Sequence, residues 1–246
     1  MNSSASLKQS LFHDFPIAKD AILEPQSKLY FMGSCFSDEI SERFHNLYIT
    51  TEANPFGTLF TPQALRKSLE IITQNRPIQL IQYNDTWHFL DGAYRFHHKN
   101  EETLREQINQ IANRAYQYLQ LSSHLFITLG TAIYYQWQFS GDSVANCHKI
   151  PQKNFVKKTF NTSEIESDLE LISELIEQHF PHLQLVYTVS PVRHLRDGMR
   201  ENTISKALLQ SALHAHLNTH PEYKYFPSFE IFNEELRDLR FFKTDL

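Results

Sequence analysis

The strongest constraint on the fold is an apolar run that stops at a glycine. Residues 29–32 are Leu-Tyr-Phe-Met, Gly33 follows, and Ser34 and Cys35 come directly after it. Residues 36–44 then alternate apolar and polar positions with a helical period, so the segment predicts a strand, a tight turn and the start of a helix. Unpaired amides at a helix N-terminus stabilise an anion, and a thiol placed there is more nucleophilic. The simpler alternative is a buried cysteine at the end of a strand.

Two further apolar runs have the same form. Residues 125–129 end at Gly130, residues 183–190 end at Pro191, and helical patterns separate the runs. This alternation predicts a parallel sheet with helices on both faces. Ligands of such sheets bind beyond the carboxyl ends of the strands. We therefore expect the turns at Gly33, Gly130 and Pro191 to lie on one rim.

The composition limits the classes of protein. The chain has 246 residues, of which 41% are apolar, enough for the core of one α/β domain spanning residues 1–246. A net charge of −5 without a block of Lys or Arg argues against nucleic-acid binding. No apolar stretch is long enough for a signal peptide or a membrane span, so we expect a soluble, cytoplasmic protein. Cys35 and Cys147 do not make a disulfide framework, and a reducing compartment leaves Cys35 free to react.

Two local patterns predict particular elements. Asp91-Gly92 separates the alternating segments 86–90 and 93–97, which is a strong signal for a hairpin. Thr61-Pro62 predicts the start of a helix that runs to about residue 74, with Thr61 as N-cap.

His194 and Asp197 follow the apolar run 183–190 at a spacing of three residues. On a helical turn this spacing lets a carboxylate orient an imidazole and hold its tautomer, as a catalytic base requires. Arg193 suits an anionic group on a substrate. The alternatives are a loop hydrogen bond for the first pair and a surface ion pair for the arginine.

The sequence GSCFS at residues 33–37 resembles the signature of the GSCFA family, whose motif ends in Ala and which is grouped with the SGNH or GDSL hydrolases. The resemblance implies a three-layer α/β/α sandwich with a mostly parallel sheet. It also implies an acyl-ester hydrolase or acyltransferase that acts on a small or carbohydrate substrate. In the wider group the strand ends in Gly-Asp-Ser, and the serine is the nucleophile. Either Cys35 attacks as a thiolate, or Ser34 attacks from a shifted register, or neither does.

The resemblance also implies donors for an oxyanion. Asn54 to Gly57 reads Asn-Pro-Phe-Gly and resembles the second SGNH block, in which a glycine amide binds the oxyanion; the alternative is an ordinary Asn-Pro turn. Residues 128–132 resemble the third block, Gly-x-Asn, but Ala132 stands where the Asn is expected. Thr131 then either donates in place of that Asn or caps the strand.

Residues 146–149 and 190–198 resemble further segments of GSCFA proteins, which implies that His148 contributes to the substrate site. His148 follows Cys147, but adjacent residues rarely chelate one ion, and we expect neither a metal nor another cofactor.

Residues 237–246 resemble the approach to the last SGNH block, Asp-x-x-His, in which the Asp orients the general base. Asp245 matches that Asp, and the sequence stops at Leu246. We therefore expect either a chain cut inside this motif, whose ester turnover returns when the following residues are added, or a base supplied by His194. The alternative function is a non-catalytic ligand-binding domain. The sequence leaves the oligomeric state open.

Overall fold

The computed structural model describes residues 23–236 apart from residue 25. The strands in chain order are β1 (Lys28–Gly33), β2 (Thr50–Ala53), β3 (Ile81–Tyr83), β4 (Thr86–His88), β5 (His97–His98), β6 (His124–Leu129), β7 (Ile133–Trp137), β8 (Ser143–Val144), β9 (Phe155–Thr159), β10 (Gln184–Val189) and β11 (Lys224–Tyr225). The helices are α1 (Cys35–Asn46), α2 (Pro62–Ile72), α3 (Glu101–Leu121), α4 (Thr162–His179), α5 (Met199–Thr219) and α6 (Ser228–Glu230), which continues as a π-helical turn, Ile231–Glu235. Short 3₁₀ turns lie at Gln152–Asn154 and Leu195–Asp197.

The centre of the fold is a sheet of five parallel strands in the order β2-β1-β6-β10-β11. Strands β2 and β6, which follow β1 in this sheet along the chain, lie on opposite sides of β1, as in a doubly wound sheet. The strand order therefore changes direction between β1 and β6, and doubly wound sheets bind ligands beyond the carboxyl ends of the strands at such a point. The predicted parallel sheet is confirmed. Within the described residues, no helix combines the length and the hydropathy needed to cross a bilayer.

Helices cover both faces of this sheet because strand side chains alternate. The face with Tyr30 and Met32 packs against α2, α3, α4 and α5 in the main core. On the other face, the Phe31 ring stacks on Phe126 with centroids 4.7 Å apart and on Phe44 of α1 at 5.9 Å. Alternation along β1 thus assigns α1 and the main helical layer to opposite faces.

The predicted helix starts agree closely with the structure. Ser34 and Thr61 cap α1 and α2, the latter by accepting the Ala64 N–H as predicted. Asn161 forms a capping box with Glu164 at the start of α4. After α1 the chain turns with Tyr48 in the left-handed region, and β2 begins at Thr50.

Two small antiparallel sheets, β3-β4-β5 and β8-β7-β9, extend from the main body. His88 pairs with His97, so the antiparallel pairing near Gly92 is confirmed. The prediction that Asp91-Gly92 forms the tight turn of this hairpin is wrong, because residues 89–96 form a wide loop between the two strands. The loop widens because Phe89 and Phe96 turn inward and are buried, where both rings pack against Phe56.

Gly33 is a position where a side chain does not fit. Its φ is +142°, and an added Cβ would lie 2.2 Å from the Thr128 carbonyl oxygen of β6. We expect Gly33→Ala to lower the free energy of unfolding by about 3 kcal/mol, since it adds backbone strain to an overlap with the backbone of β6. Urea unfolding measures the loss. Gly141→Ala is the matched control, because Gly141 also has positive φ but open space around it; its cost should be about 1–2 kcal/mol. Equal losses would contradict the close approach.

Candidate active site

The carboxyl ends of the central strands meet at one edge, which we call the rim: residues 33–37, 54–60, 130–132 and 190–198. Backbone hydrogen bonds hold it together. The Leu59 N–H donates to the Gly33 carbonyl at 2.9 Å, and the Phe60 carbonyl accepts the N–H groups of Gly130 and Thr131. The predicted meeting of the three turns on one rim agrees with this arrangement.

Ser34 and Cys35 lie where β1 passes into α1. The Ser34 side chain is fully buried and accepts the Phe36 N–H at 3.3 Å, so its hydroxyl caps the helix. Cys35 is the first residue of α1 and has an exposed, free thiol. The accessible nucleophile on this turn is therefore Cys35. Ser37, where the resembled motif has Ala, is buried and donates to the Thr128 hydroxyl at 2.8 Å.

Asn54 fixes the shape of the turn. Its side-chain oxygen accepts the Gly33 N–H at 2.8 Å, and its side-chain nitrogen donates to Asp38 at 2.7 Å. Burial raises the pKa of Asp38, and the hydrogen bond from Asn54 works in the opposite direction. The Gly57 N–H donates to the Asn54 carbonyl at 2.8 Å. The Gly57 amide is therefore engaged within this turn, which must open before the amide can reach an oxyanion.

The donors around Thr131 are also engaged within the fold. Its hydroxyl lies 2.9 Å from the Ser205 hydroxyl and accepts the Ile133 N–H at 3.0 Å. The Ala132 N–H donates to Ser205 at 2.7 Å. The local role of Thr131 is thus to cap the turn after β6, which is one of the two roles expected for it.

Lys206 is the residue of this site that the sequence did not single out. It is 2% exposed, and its Nζ donates to the Gly130 carbonyl at 2.6 Å and to the Ser190 carbonyl at 2.7 Å. Burial lowers its pKa to about 7, while the charge of Cys35 opposes that shift. The sequence does carry a signal for its burial, because Lys206 lies on the same helical face as Leu209 and Leu213, and an apolar face rarely contains a lysine.

His194 lies beside this lysine. Its Nε2 is buried without a hydrogen-bond partner among the described residues, and its ring meets the edge of Phe60 with centroids 5.3 Å apart. Burial lowers the pKa of His194, the charge of Lys206 lowers it further, and Asp197 opposes both. The Asp197 N–H donates to the His194 carbonyl at 3.3 Å, which is the loop hydrogen bond given as the alternative, whereas the Asp197 carboxylate forms an ion pair with Lys157 at 2.6 Å. The carboxylate is drawn to β9 because a full positive charge is available there.

A cavity of about 640 Å³ opens next to the rim. Four of the predicted site residues line it, Thr131, Arg193, His194 and Asp197, together with Tyr134 and Tyr135. Cys35 and Ser34 are not part of its wall. The charge of Lys206 acts on the pKa of His194 at the cavity, and the charge of Cys35 acts on the pKa of Lys206.

His148 lies behind this cavity. Its neighbours Cys147 and Lys149 line the cavity, whereas His148 is 2% exposed and bonds through Nε2 to the Gly92 carbonyl at 3.0 Å. Burial lowers its pKa to about 4, with the charge of His88 as a further cause. Its position supports the wall and gives no contact for a substrate. Asp245 lies outside the described residues.

The fold and the rim together define an α/β protein with a parallel sheet, a cysteine at the N-terminus of its first helix and a cavity lined by residues of the rim. The sequence model of the GSCFA family matches residues 28–246. The chain therefore belongs to the GSCFA family. No curated protein matches it significantly.

The buried lysine predicts a pH dependence of stability. The pKa of Lys206 is about 7 in the folded chain and near 10.5 when unfolded, so the unfolded state binds more protons between these values. The free energy of unfolding should therefore rise with pH in that window, by about 2 kcal/mol from pH 7.5 to 9. Lys206→Met should remove the rise in urea titrations.

Lys67→Met is the matched control for this experiment. Lys67 is also buried, but its ammonium lies 3.1 Å from Asp91. The rise with pH should persist in this variant. If Lys206→Met retains the rise, the ammonium of Lys206 is not the group that titrates.

Proposed function

We propose that the chain is an acyl-ester hydrolase or acyltransferase of SGNH type, acting on a small or carbohydrate substrate with Cys35 as nucleophile. The observation that carries the proposal is the exposed Cys35 thiol at the N-terminus of α1, electrostatically coupled to the buried Lys206. The order of the central strands supports it, because the change of strand order between β1 and β6 is where doubly wound sheets bind ligands.

Cys35 takes precedence over Ser34 for a geometric reason. A nucleophile must reach a carbonyl carbon, and the Ser34 hydroxyl is fully buried against the amide that it caps. The Cys35 amide belongs to the first turn of α1, where N–H groups lack helical acceptors and face an incoming oxyanion. Cys35 would thus supply both the attacking sulfur and a backbone N–H donor for the oxyanion.

The reaction proceeds in two balanced steps. The Cys35 thiol gives its proton to neutral Lys206, and the thiolate attacks the ester carbonyl to form a carbon–sulfur bond. The carbon–oxygen bond to the alcohol then breaks, and the alkoxide takes the proton from the Lys206 ammonium. Water, or the hydroxyl of an acceptor, then gives a proton to neutral Lys206 as its oxygen attacks the thioester carbonyl; the carbon–sulfur bond breaks, the acyl group is released on that oxygen, and the Cys35 thiolate takes the proton from the Lys206 ammonium. A lysine with a pKa of about 7 exchanges its proton readily near neutral pH.

The cavity beside the rim is assigned to the part of the substrate that does not react. Its wall combines the tyrosine rings of residues 134 and 135 with Asn146, Lys149 and Arg193. Aromatic faces with nearby hydrogen-bond donors suit a sugar or another small polar molecule, and the cations of the wall, Lys149, Arg193 and Arg196, favour a substrate with a negative group.

A ligand-binding domain without chemistry is the second candidate. It is favoured by the state of the expected oxyanion donors, because the Gly57 amide and the Thr131 hydroxyl are bonded within the fold and Ala132 has no donor side chain. In that case the cavity binds its ligand while Cys35 remains inert.

A covalent intermediate separates the two functions. Mixing the chain with p-nitrophenyl acetate should give one acetyl adduct in the intact mass, located on Cys35, with release of nitrophenol. Cys35→Ala should lose the adduct and slow acylation by about 10³-fold or more, because the nucleophile is removed. Cys147→Ala, which removes the second cysteine, should keep both the adduct and the rate of acylation.

The Ser34→Ala variant distinguishes the two registers. It should keep the adduct and lose about 1 kcal/mol of stability, the usual cost of an N-cap. An adduct that survives in Cys35→Ala and disappears in Ser34→Ala would assign the attack to Ser34. Absence of any adduct, with ligands still binding in the cavity, would favour the second candidate.

A further inference from the structure

Three potential metal ligands converge where α4 packs against the C-terminal end of α5. Glu170 comes from α4, His216 from the last turns of α5, and His220 follows that helix one turn later. We propose that Glu170, His216 and His220 form a binding site for a divalent transition-metal ion of the Zn²⁺ type. The spacing of four residues places both imidazoles on one side of the helix.

The hydrogen bonds around His216 fix its tautomer. Its Nε2 lies 3.0 Å from the Ser173 hydroxyl, and that hydroxyl donates its single proton to the Leu169 carbonyl at 3.1 Å. Ser173 can therefore only accept from His216, so the proton of the neutral ring is on Nε2. The lone pair of Nδ1 is left facing the Glu170 carboxylate, 3.5 Å away.

The same logic applies to His220 with its nitrogens exchanged. Its Nδ1 lies 3.1 Å from the His216 carbonyl, which also accepts the His220 N–H at 3.1 Å; in the tautomer that donates to this carbonyl, Nδ1 carries the proton of the neutral ring. The Thr219 hydroxyl, also 3.1 Å from Nδ1, donates to the same carbonyl at 2.8 Å. The lone pair of Nε2 points at Glu170 from 3.6 Å.

In these tautomers two nitrogen lone pairs and a carboxylate face one another. A cation at the centre of the cluster offsets the repulsion among them. In a tetrahedral zinc site with bonds of about 2.0–2.1 Å, neighbouring ligand atoms lie about 3.3–3.4 Å apart. The two observed distances, 3.5 and 3.6 Å, are close to that value before any adjustment. Ser173 and the His216 carbonyl provide the outer hydrogen bonds that orient ligating imidazoles.

The donor set selects the class of metal. Imidazole nitrogen suits Zn²⁺, Cu²⁺, Fe²⁺ and Ni²⁺, whereas Mg²⁺ and Ca²⁺ prefer oxygen ligands. The His216 side chain is 2% exposed, His220 17% and Glu170 50%, so the site is closed toward the core and open toward solvent beside the carboxylate. A fourth ligand, such as water, can enter from that side.

This site is separate from the rim. Helix α5 begins at Met199 next to the rim loop and rises about 1.5 Å per residue, which places His216 about 25 Å along the helix. The metal would therefore join α4 to the far end of α5 and take no part in the chemistry proposed for Cys35.

Isothermal titration of the untagged chain with Zn²⁺ tests the site. We expect one ion to bind, a rise in melting temperature of about 5–10 °C at 100 times the dissociation constant, and no response to Mg²⁺ or Ca²⁺. With Co²⁺ instead, the visible absorption of a tetrahedral site should appear. Glu170→Gln and His220→Ala should weaken Zn²⁺ binding by at least about 100-fold, since losing even a residue that only orients a ligand costs about 10- to 100-fold.

Two variants serve as matched controls. His214→Ala removes an exposed histidine of the same helix, and Glu177→Gln tests a neighbouring group of Glu177, His220 and Glu222 that also offers three ligand atoms. Both should bind Zn²⁺ like the unchanged chain. Failure of that chain to bind Zn²⁺ or Co²⁺, or unchanged binding in Glu170→Gln, would overturn the proposal. A loss confined to Glu177→Gln and His220→Ala would do so as well, by placing the ion in the neighbouring group.

Discussion

The rim depends on the contact between the backbones of β1 and β6 at Gly33. Because Gly33 has no side chain, the Thr128 carbonyl fits against its Cα and also accepts the Ser34 N–H. The strand therefore turns directly into α1 at the point where the order of the sheet changes direction. The first amides of the helix and the Cys35 thiol reach the surface at this point. A bulkier residue would push α1 away from β6 and take the thiol with it.

Buried polar groups complete the rim where the strands end. Strand ends leave carbonyl groups without partners in the sheet, and burying them unpaired is costly. Lys206 resolves this by bridging the Gly130 and Ser190 carbonyls, and Asn54 does the same for the Gly33 amide. The lysine itself is destabilised by burial, which is why its pKa falls to about 7. The interaction that joins β6 to β10 therefore also creates a titratable group with a strongly shifted pKa, as is common at functional sites.

Helix α5 connects two chemically different regions of the molecule. Near its start Lys206 faces the rim, in its middle Leu209 and Leu213 enter the main core, and near its end His216 faces α4. The apolar middle holds the register of the helix, so both polar ends are fixed in position by hydrophobic packing. A rotation of one residue would displace Lys206 from its carbonyls and His216 from Glu170 together.

The sequence by itself determined the parallel sheet, the order of its helices and the position of Cys35 at a helix N-terminus, because hydrophobic period, caps and glycine are local properties of the chain. It did not determine which polar groups meet across the fold. The Asp197 carboxylate pairs with Lys157 and not with His194, His148 is buried, and Lys206 reaches two strand ends. These contacts join residues distant in sequence, and burial decides which of several possible partners each charge takes. Only the tertiary structure, which sets those distances, could decide them.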